Sequence, residues 1–380
     1  MTDTLKLDDI YDKHINFLIG SGASFGLLPT LALAIRDEFG ESQSIEKIAT
    51  RYDNNKNNRQ LTALFMYYYK KCIEPAINTN LNQAGTGSIK KEVFDNYETF
   101  LKTLLVIMQR RRVNEKNCNI FTTNYDGCFA HAADNILRQG STDFIVNDGA
   151  RGFSRRYLQA KNFNSFVYQT GIFERHIADI PQINLIHLHG SVYWKKDGDN
   201  ILVDYFSDND EHLLPDKLFK NVDEFFSALE DDSKTLDDLP VVSIHSKINE
   251  QFWGSYNNLP IVNPTKWKFH ETVFEEHYYQ MLRLLSYELE KPNSIFITFG
   301  FSFSDEHILN LVKRSLSNPA LQLFICCFNG AEILKMQGLF KFNHNVKYIS
   351  VDGDLNFSKF NSEIFSLNPE ISKKVEETLV

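Results

Sequence analysis

The chain has no CxxC pair, and its five cysteines (Cys72, Cys118, Cys128, Cys326 and Cys327) form no regular framework. That spacing offers neither a zinc ribbon nor a thioredoxin-like redox pair, and free, mostly buried thiols in a reducing compartment are expected instead. No window approaches the roughly 18 consecutive apolar residues of a spanning helix. The stretch from Met1 to Asp12 is polar and acidic, without the basic-then-apolar order of a signal peptide. A cytoplasmic protein is therefore expected. Positive charge is in deficit, with 40 Lys and Arg against 49 Asp and Glu. This argues against nonspecific duplex binding, which neutralises phosphates, but leaves room for a small anion held by local donors. The one basic run, Arg110 to Arg112, is read as a solvated helix C-terminus. The histidines show no metal spacing such as HExxH, no repeat recurs, and low complexity is confined to an Asn-rich turn at Asp53 to Asn58.

What is present is a large apolar fraction. Hydrophobic residues make up 43% of 380, including 31 Phe, enough to build a substantial core without staples. Six short apolar runs stand out: Ile15 to Ile19, Asn119 to Phe121, Ile183 to Leu188, Ser294 to Phe299, Leu321 to Cys327 and Val346 to Val351. Runs of this kind fit strands buried on both faces, as in a parallel sheet. Helices are expected over Pro29 to Phe39, Tyr97 to Arg112, Gly127 to Leu137, Glu271 to Glu290 and Asp305 to Ser317. Alternation of the two predicts an α/β fold, a Rossmann-like doubly wound parallel sheet in one domain spanning 1–380. Residues 40–118 read as a helical insertion and the acidic, irregular 195–260 as a peripheral one. An aromatic patch from Trp253 to Trp267 reads as core packing, with an interface as the alternative.

Most of these runs exit into polar, small-residue clusters, where an open parallel sheet binds its ligands. Gly20-Ser21-Gly22-Ala23-Ser24 follows the first run. Its glycines permit close backbone approach to a phosphate, with a following helix N-terminus as donor; a plain strand-to-helix turn is the alternative. Thr122-Thr123-Asn124-Tyr125-Asp126 follows the second. Asn124 can orient a ribose hydroxyl or a water, while Asp126 is equally suited to cap the next helix. His187 and His189 share a strand face, so pattern alone does not choose between them as general base. Position favours His189, beside Gly190 at the strand exit. Gly300-Phe301-Ser302 suits a phosphate or ribose, with Ser304 or Asp305 as a helix cap. Asn329 is placed to reach a ribose or simply to make a turn before Gly330.

Taken in order, Gly20 to Ser24, Thr122 to Asp126, His189-Gly190 and Gly300 to Ser302 resemble the sirtuin family. The resemblance runs in patches from about residue 14 to residue 330. It implies that Gly20 to Ser24 hold NAD⁺ phosphates, Asn124 positions the nicotinamide ribose and His189 is the catalytic base. Thr123, Asp126, Gly300, Phe301, Ser302 and Asn329 complete the expected NAD-binding set. The spellings Thr-Thr-Asn-Tyr-Asp, Leu-His-Gly-Ser-Val-Tyr-Trp and Gly-Phe-Ser-Phe-Ser-Asp-Glu-His look closer to sirtuin-like domains of bacterial anti-phage systems than to deacetylases.

The departures bear on activity. No cysteine lies between Cys128 and Cys326, where deacetylating sirtuins carry two pairs on a zinc module, and Phe25 to Thr30 lacks their acidic-aromatic-Arg element. Protein deacylation is thereby put in doubt and NAD⁺ hydrolysis favoured, with a non-catalytic NAD⁺ or ADP-ribose sensor as the alternative. The resemblance implies abortive-infection defence by NAD⁺ depletion, and silence until triggered. It also implies a homo-oligomer with sensing supplied in trans, by a HerA-type hexameric ATPase or, behind it, an Argonaute-like protein. At this length the chain reads as little more than a catalytic domain, with no metal expected.

Overall fold

The computed structural model describes residues 5, 10–54, 58–79, 88–111, 116–140, 142–170, 177–206, 210–263 and 272–367. A seven-stranded sheet runs through its middle: β1 (His14–Ile19), β2 (Asn117–Thr122), β3 (Ile145–Asn147), β4 (Gln182–His187), β5 (Ser294–Phe299), β6 (Gln322–Cys326) and β7 (Val346–Ile349). Its spatial order is β7-β6-β5-β1-β2-β4-β3, and every neighbouring pair is parallel. Six of the seven are the apolar runs of the sequence. β3 escaped notice because it is three residues long and sits at the sheet edge.

Among the described residues, the helices longer than five residues are α1 (Ile45–Asn54), α2 (Asn58–Tyr68), α3 (Ser88–Arg110), α4 (Cys128–Gln139), α5 (Asp223–Leu229), α6 (Ser246–Tyr256), α7 (Thr272–Glu290), α8 (Glu306–Ser315) and α9 (Gly330–Leu339). Alternation along each strand divides the core between the two faces of the sheet. Ile15, Phe17 and Ile19 pack with α3, α4 and the chain from Phe357 to Phe365; Leu18, Phe121 and Ile186 pack with α7, α8 and α9. Phe17 meets Phe100 and Phe365 edge to face at 5.0 and 5.4 Å. Burial of one such ring contributes about 1.5–3 kcal/mol. Helices on both faces of a parallel sheet make this the Rossmann-like α/β architecture.

A second core lies beside the sheet. Ile35, Ile48, Tyr68 and Tyr69 share it with Leu218, Phe225, Phe252 and Ile261. Residues 40–118 thus divide between two places, α1 and α2 in this second core and α3 against the sheet. Within 195–260, Leu214 to Leu259 joins the first of these, while Ile201 and Val203 pack with Trp194 and Phe274 in a separate cluster. Trp253 leans on the same cluster, while Trp267 lies outside the described residues.

Three local expectations are corrected. Pro29 to Phe39 is not helical: Ala32–Arg36 is a strand paired with Ser42–Ser44, because Leu33 and Ile35 are buried while Ala32 and Arg36 are exposed, a period of two. Gly20 to Ser24 leads into a single 3-10 turn, Ser21–Ser24, with no long helix behind it. Arg111 is not solvated. It is 5% exposed and its guanidinium donates to the carbonyls of Tyr11, Lys13 and Asn117, tying the end of α3 to the starts of β1 and β2; Arg112 lies outside the described residues. Among the described residues, no helix is long and apolar enough to cross a membrane.

An amide ladder crosses four adjacent strands. Asn119 Nδ2 donates to Asn16 Oδ1 (2.8 Å), Asn184 Nδ2 to Asn119 Oδ1 (2.7 Å) and Asn147 Nδ2 to Asn184 Oδ1 (3.0 Å). Asn16 Nδ2 closes the row on Ser294 Oγ of β5 at 3.0 Å. The asparagines are register partners in the sheet, so a one-residue slip of β1, β2, β4 or β3 would break their row. Asn119→Ala strands two buried partners at once. It is expected to destabilise by about 2–4 kcal/mol in chemical denaturation, and a loss below about 0.5 kcal/mol would show that the ladder does not hold the register.

Candidate active site

The order of the sheet creates a crevice between β1 and β5, since the chain proceeds from β1 to β2 on one side and resumes with β5 on the other. The two glycine segments meet there. Gly20 N donates to Phe299 O and Gly22 N to Gly300 O, both at 3.0 Å. A Cβ on Gly20 would overlap the Gly300 carbonyl, and one on Gly22 would stand 2.7 Å from Gly300 Cα. Gly300 itself has φ 63°. Their lack of side chains is first a requirement of backbone meeting backbone, which the phosphate reading of the sequence did not include. Ala23 is buried, while Ser21 and Gly22 are half-buried on the crevice side of this contact.

Ser24, at the end of the 3-10 turn, is the hub of a buried polar cluster. Its Oγ donates to Asp126 Oδ2 at 2.8 Å, so the Tyr97 hydroxyl, 2.7 Å away, must donate to Ser24. Asn124 Nδ2 donates to the same Oγ at 3.2 Å. The serine is then saturated. Asp126 uses its other oxygen to accept from Cys128 N at 3.0 Å, so it both starts α4 and anchors Ser24. Burial, reinforced by Asp126, pushes Tyr97 well above the ordinary phenol range and keeps it a neutral donor. Thr122 Oγ1 and Thr123 N both bond Ile19 O, at 3.0 and 3.2 Å, strapping this turn to the end of β1. One atom is left over: Asn124 Oδ1 is buried and has no hydrogen-bond partner. An orphaned acceptor costs about 1–3 kcal/mol unless something occupies it.

The strand exit at β4 completes the arrangement. Leu188 N bonds Thr122 O at 2.8 Å, Ser191 Oγ bonds Tyr125 O at 3.3 Å, and Val262 N bonds His189 O at 2.9 Å. Gly190 has φ 85° and packs on the Pro260 carbonyl, where a side chain would collide. The second core therefore braces His189 from behind. His187 and His189 have different jobs. His187 Nδ1 bonds the Asn124 carbonyl at 3.1 Å and burial lowers its pKa, so it is a neutral strut under Asn124. His189, 8% exposed, has Nε2 3.3 Å from Asp305 Oδ2, and this buried nitrogen makes no hydrogen bond. Asp305, not Ser304, caps α8, with Oδ1 accepting from His307 and Ile308 amides.

The other expected residues are spread around the rim. Phe301 is half-buried against the α7–α9 face, and Ser302 is exposed, its Oγ 2.9 Å from Ser304 Oγ. Asn329 is the N-cap of α9, its Oδ1 accepting from Ala331 and Glu332 amides, which leaves only its NH₂ for a ligand. Tyr97 and Asp305 were not singled out as site residues from sequence. Tyr97 arrives from α3 with no motif around it; Asp305 had a visible signal, but capping explained it fully. Among the described residues, no group of three or more His, Cys, Asp or Glu is placed to hold a metal ion. All five cysteines are free and buried.

A third buried histidine lies close by. His277 on α7 packs its ring edge-on to Trp194, which also meets His187. Burial, with repulsion from His187, depresses His277 from 6.5 to about 3. The unfolded chain thus binds protons that the folded one refuses, and stability is lost as pH falls from about 6.5 toward 3. His277→Gln is expected to flatten that loss by as much as about 1.4 kcal/mol per pH unit, read by chemical denaturation between about pH 7 and pH 4. An unchanged slope would contradict a neutral buried His277.

The residues so assembled set a buried, unpartnered acceptor, Asn124 Oδ1, and a histidine at a strand exit beside the β1/β5 crevice. Among curated proteins, none matches the sequence. Residues 119–349 match the SIR2-like domain, a span that begins in β2, ends with β7 and includes Asn124, Asp126, His189, Gly300, Asp305 and Asn329. The match covers more than half of the chain, and the protein belongs to the SIR2-like domain family.

Proposed function

We propose that this protein is an NAD⁺ glycohydrolase, which cleaves the bond between nicotinamide and ribose to give nicotinamide and ADP-ribose. The observation that carries the proposal is the buried, unpartnered Asn124 Oδ1, held in place by Ser24 and supported from below by His187. It is an acceptor prepared for a donor that the protein does not supply, as a ribose hydroxyl or an attacking water would.

The cleavage passes through an oxocarbenium-like state, so the protein must orient the ribose and aim a nucleophile at its anomeric carbon. Asn124 orients the sugar and the water. His189 accepts the proton released as the water oxygen bonds to that carbon, and nicotinamide leaves as a neutral ring. Gly20, Ser21, Gly22, Ala23 and Ser24 flank the diphosphate on one side of the crevice, with Gly300, Phe301 and Ser302 on the other. Thr123 and Asp126 hold the turn that carries Asn124, and the free NH₂ of Asn329 reaches toward the second ribose.

Such a reaction harms the cell that makes the enzyme. We accordingly place it in the cytoplasm as an anti-phage effector acting by abortive infection, homo-oligomeric and silent until triggered. A HerA-type hexameric ATPase is the favoured partner for sensing, an Argonaute-like protein the alternative. The motif spellings at Asn124, His189 and Gly300 support this placement.

Asn124→Ala and His189→Ala are each expected to lower nicotinamide release by about 10²–10⁴-fold at unchanged melting temperature, as followed by chromatography of NAD⁺ digests. Undiminished release by both variants would overturn the assignment. Tight NAD⁺ binding by the wild type with no nicotinamide formed would identify a regulatory NAD⁺-binding subunit instead.

A further inference from the structure

We infer that Asp305 is the positioning residue for His189, and that it makes Nδ1 rather than Nε2 the nitrogen that accepts the proton. The inference rests on the reading of His189 as the general base. The two oxygens of Asp305 have separate tasks. Oδ1 accepts from the His307 and Ile308 amides at 2.9 and 3.0 Å, and the Leu309 amide bonds the Asp305 carbonyl at 2.9 Å. The carboxylate is thereby fixed on the first turn of α8 and cannot rotate without losing the cap. Oδ2 stands 3.3 Å from His189 Nε2, an ion-pair distance at which Nε2 makes no aligned hydrogen bond, with Asp305 4% exposed.

An ionised carboxylate only accepts, and the N-terminus of a helix favours negative charge. The negative charge 3.3 Å away favours the tautomer with its hydrogen on Nε2. In a neutral imidazole the lone pair then lies on the other nitrogen, Nδ1. As the water oxygen bonds to the anomeric carbon, its proton passes to Nδ1 and is later released to solvent. The imidazolium formed in between carries N–H on both nitrogens and is held by the Asp305 carboxylate.

The loop that delivers Asp305 is built for placement. Gly300 has φ 63° and Phe303 has φ 54°, an unusual conformation for a bulky residue. Phe303 is nevertheless buried between Phe301 and Phe340, with ring centroids 5.0 and 5.1 Å away. Backbone of this kind persists only where its surroundings over-determine it, and such positions cluster at functional sites. Here the turn carries the chain from the glycine junction to Asp305, beside His189.

The test uses the full chain with ¹⁵N-labelled histidine, whose long-range ¹⁵N–¹H spectra report the tautomer; the His189 signal is assigned by its loss in His189→Gln. The expected result is a hydrogen on Nε2 in the wild type. Asp305→Asn keeps the cap, because Asn serves that position as well as Asp, and the melting temperature should not move. It should abolish the tautomer preference and lower kcat for nicotinamide release by about 10²–10⁴-fold, with KM changed by less than about 3-fold. A wild-type His189 with its lone pair on Nε2 overturns the inference, as does an Asp305→Asn variant with unaltered tautomer and rate. A wild type that releases no nicotinamide counts against the hydrolase reading, and the tautomer still decides the role of Asp305.

Discussion

Where β1 and β5 lie side by side, the chain leaving each strand has to pass in van der Waals contact with the other. Gly20, Gly22 and Gly300 make that contact with main-chain atoms alone, closed by the Gly22 N to Gly300 O bond at 3.0 Å. Two of the site's polar groups, Ser24 and Asp305, are placed from this junction. It starts the turn that ends on Ser24, the hub for Tyr97, Asn124 and Asp126, and it starts the loop that ends on Asp305, the carboxylate facing His189. A side chain at any of the three glycines would separate the two halves before it could disturb a ligand. Close approach and positive φ together explain why no other residue type serves there.

The site is then braced from two directions. Beneath it, the Asn16–Asn119–Asn184–Asn147 ladder keeps β1, β2, β4 and β3 in register, so the exits of β1, β2 and β4 open at matching heights. Beside it, the second core presses the Pro260–Ile261–Val262 backbone onto His189 and Gly190. Residues 33–73 and 214–261 are distant in sequence and share one apolar cluster. They brace the turn that carries His189 and Gly190.

Much of the architecture was legible because β1, β2, β4, β5, β6 and β7 are buried on both faces and so read as apolar runs with polar exits. What sequence missed has physical reasons. The ladder asparagines look like interruptions of those runs, since their partners are 37 to 103 residues away. Ala32–Arg36 is too short for its period of two to outweigh a helical pattern. Asp305 had a sufficient local explanation as a cap, and nothing local points to His189 more than a hundred residues earlier. The choice between His187 and His189, open on pattern, turns on what each nitrogen faces: a carbonyl for His187 and a carboxylate for His189.

The proposed hydrolysis requires Asn124 Oδ1, buried and without a hydrogen-bond partner, to accept from the sugar or from the attacking water. The most direct measurement is a crystal structure of the His189→Ala protein soaked with NAD⁺. The account predicts the nicotinamide ribose with a hydroxyl, or a water beside its anomeric carbon, donating to Asn124 Oδ1, and the diphosphate between Gly20–Ser24 and Gly300–Ser302. A dinucleotide bound with its nicotinamide ribose away from Asn124, or a crevice left empty at saturating NAD⁺, would contradict it.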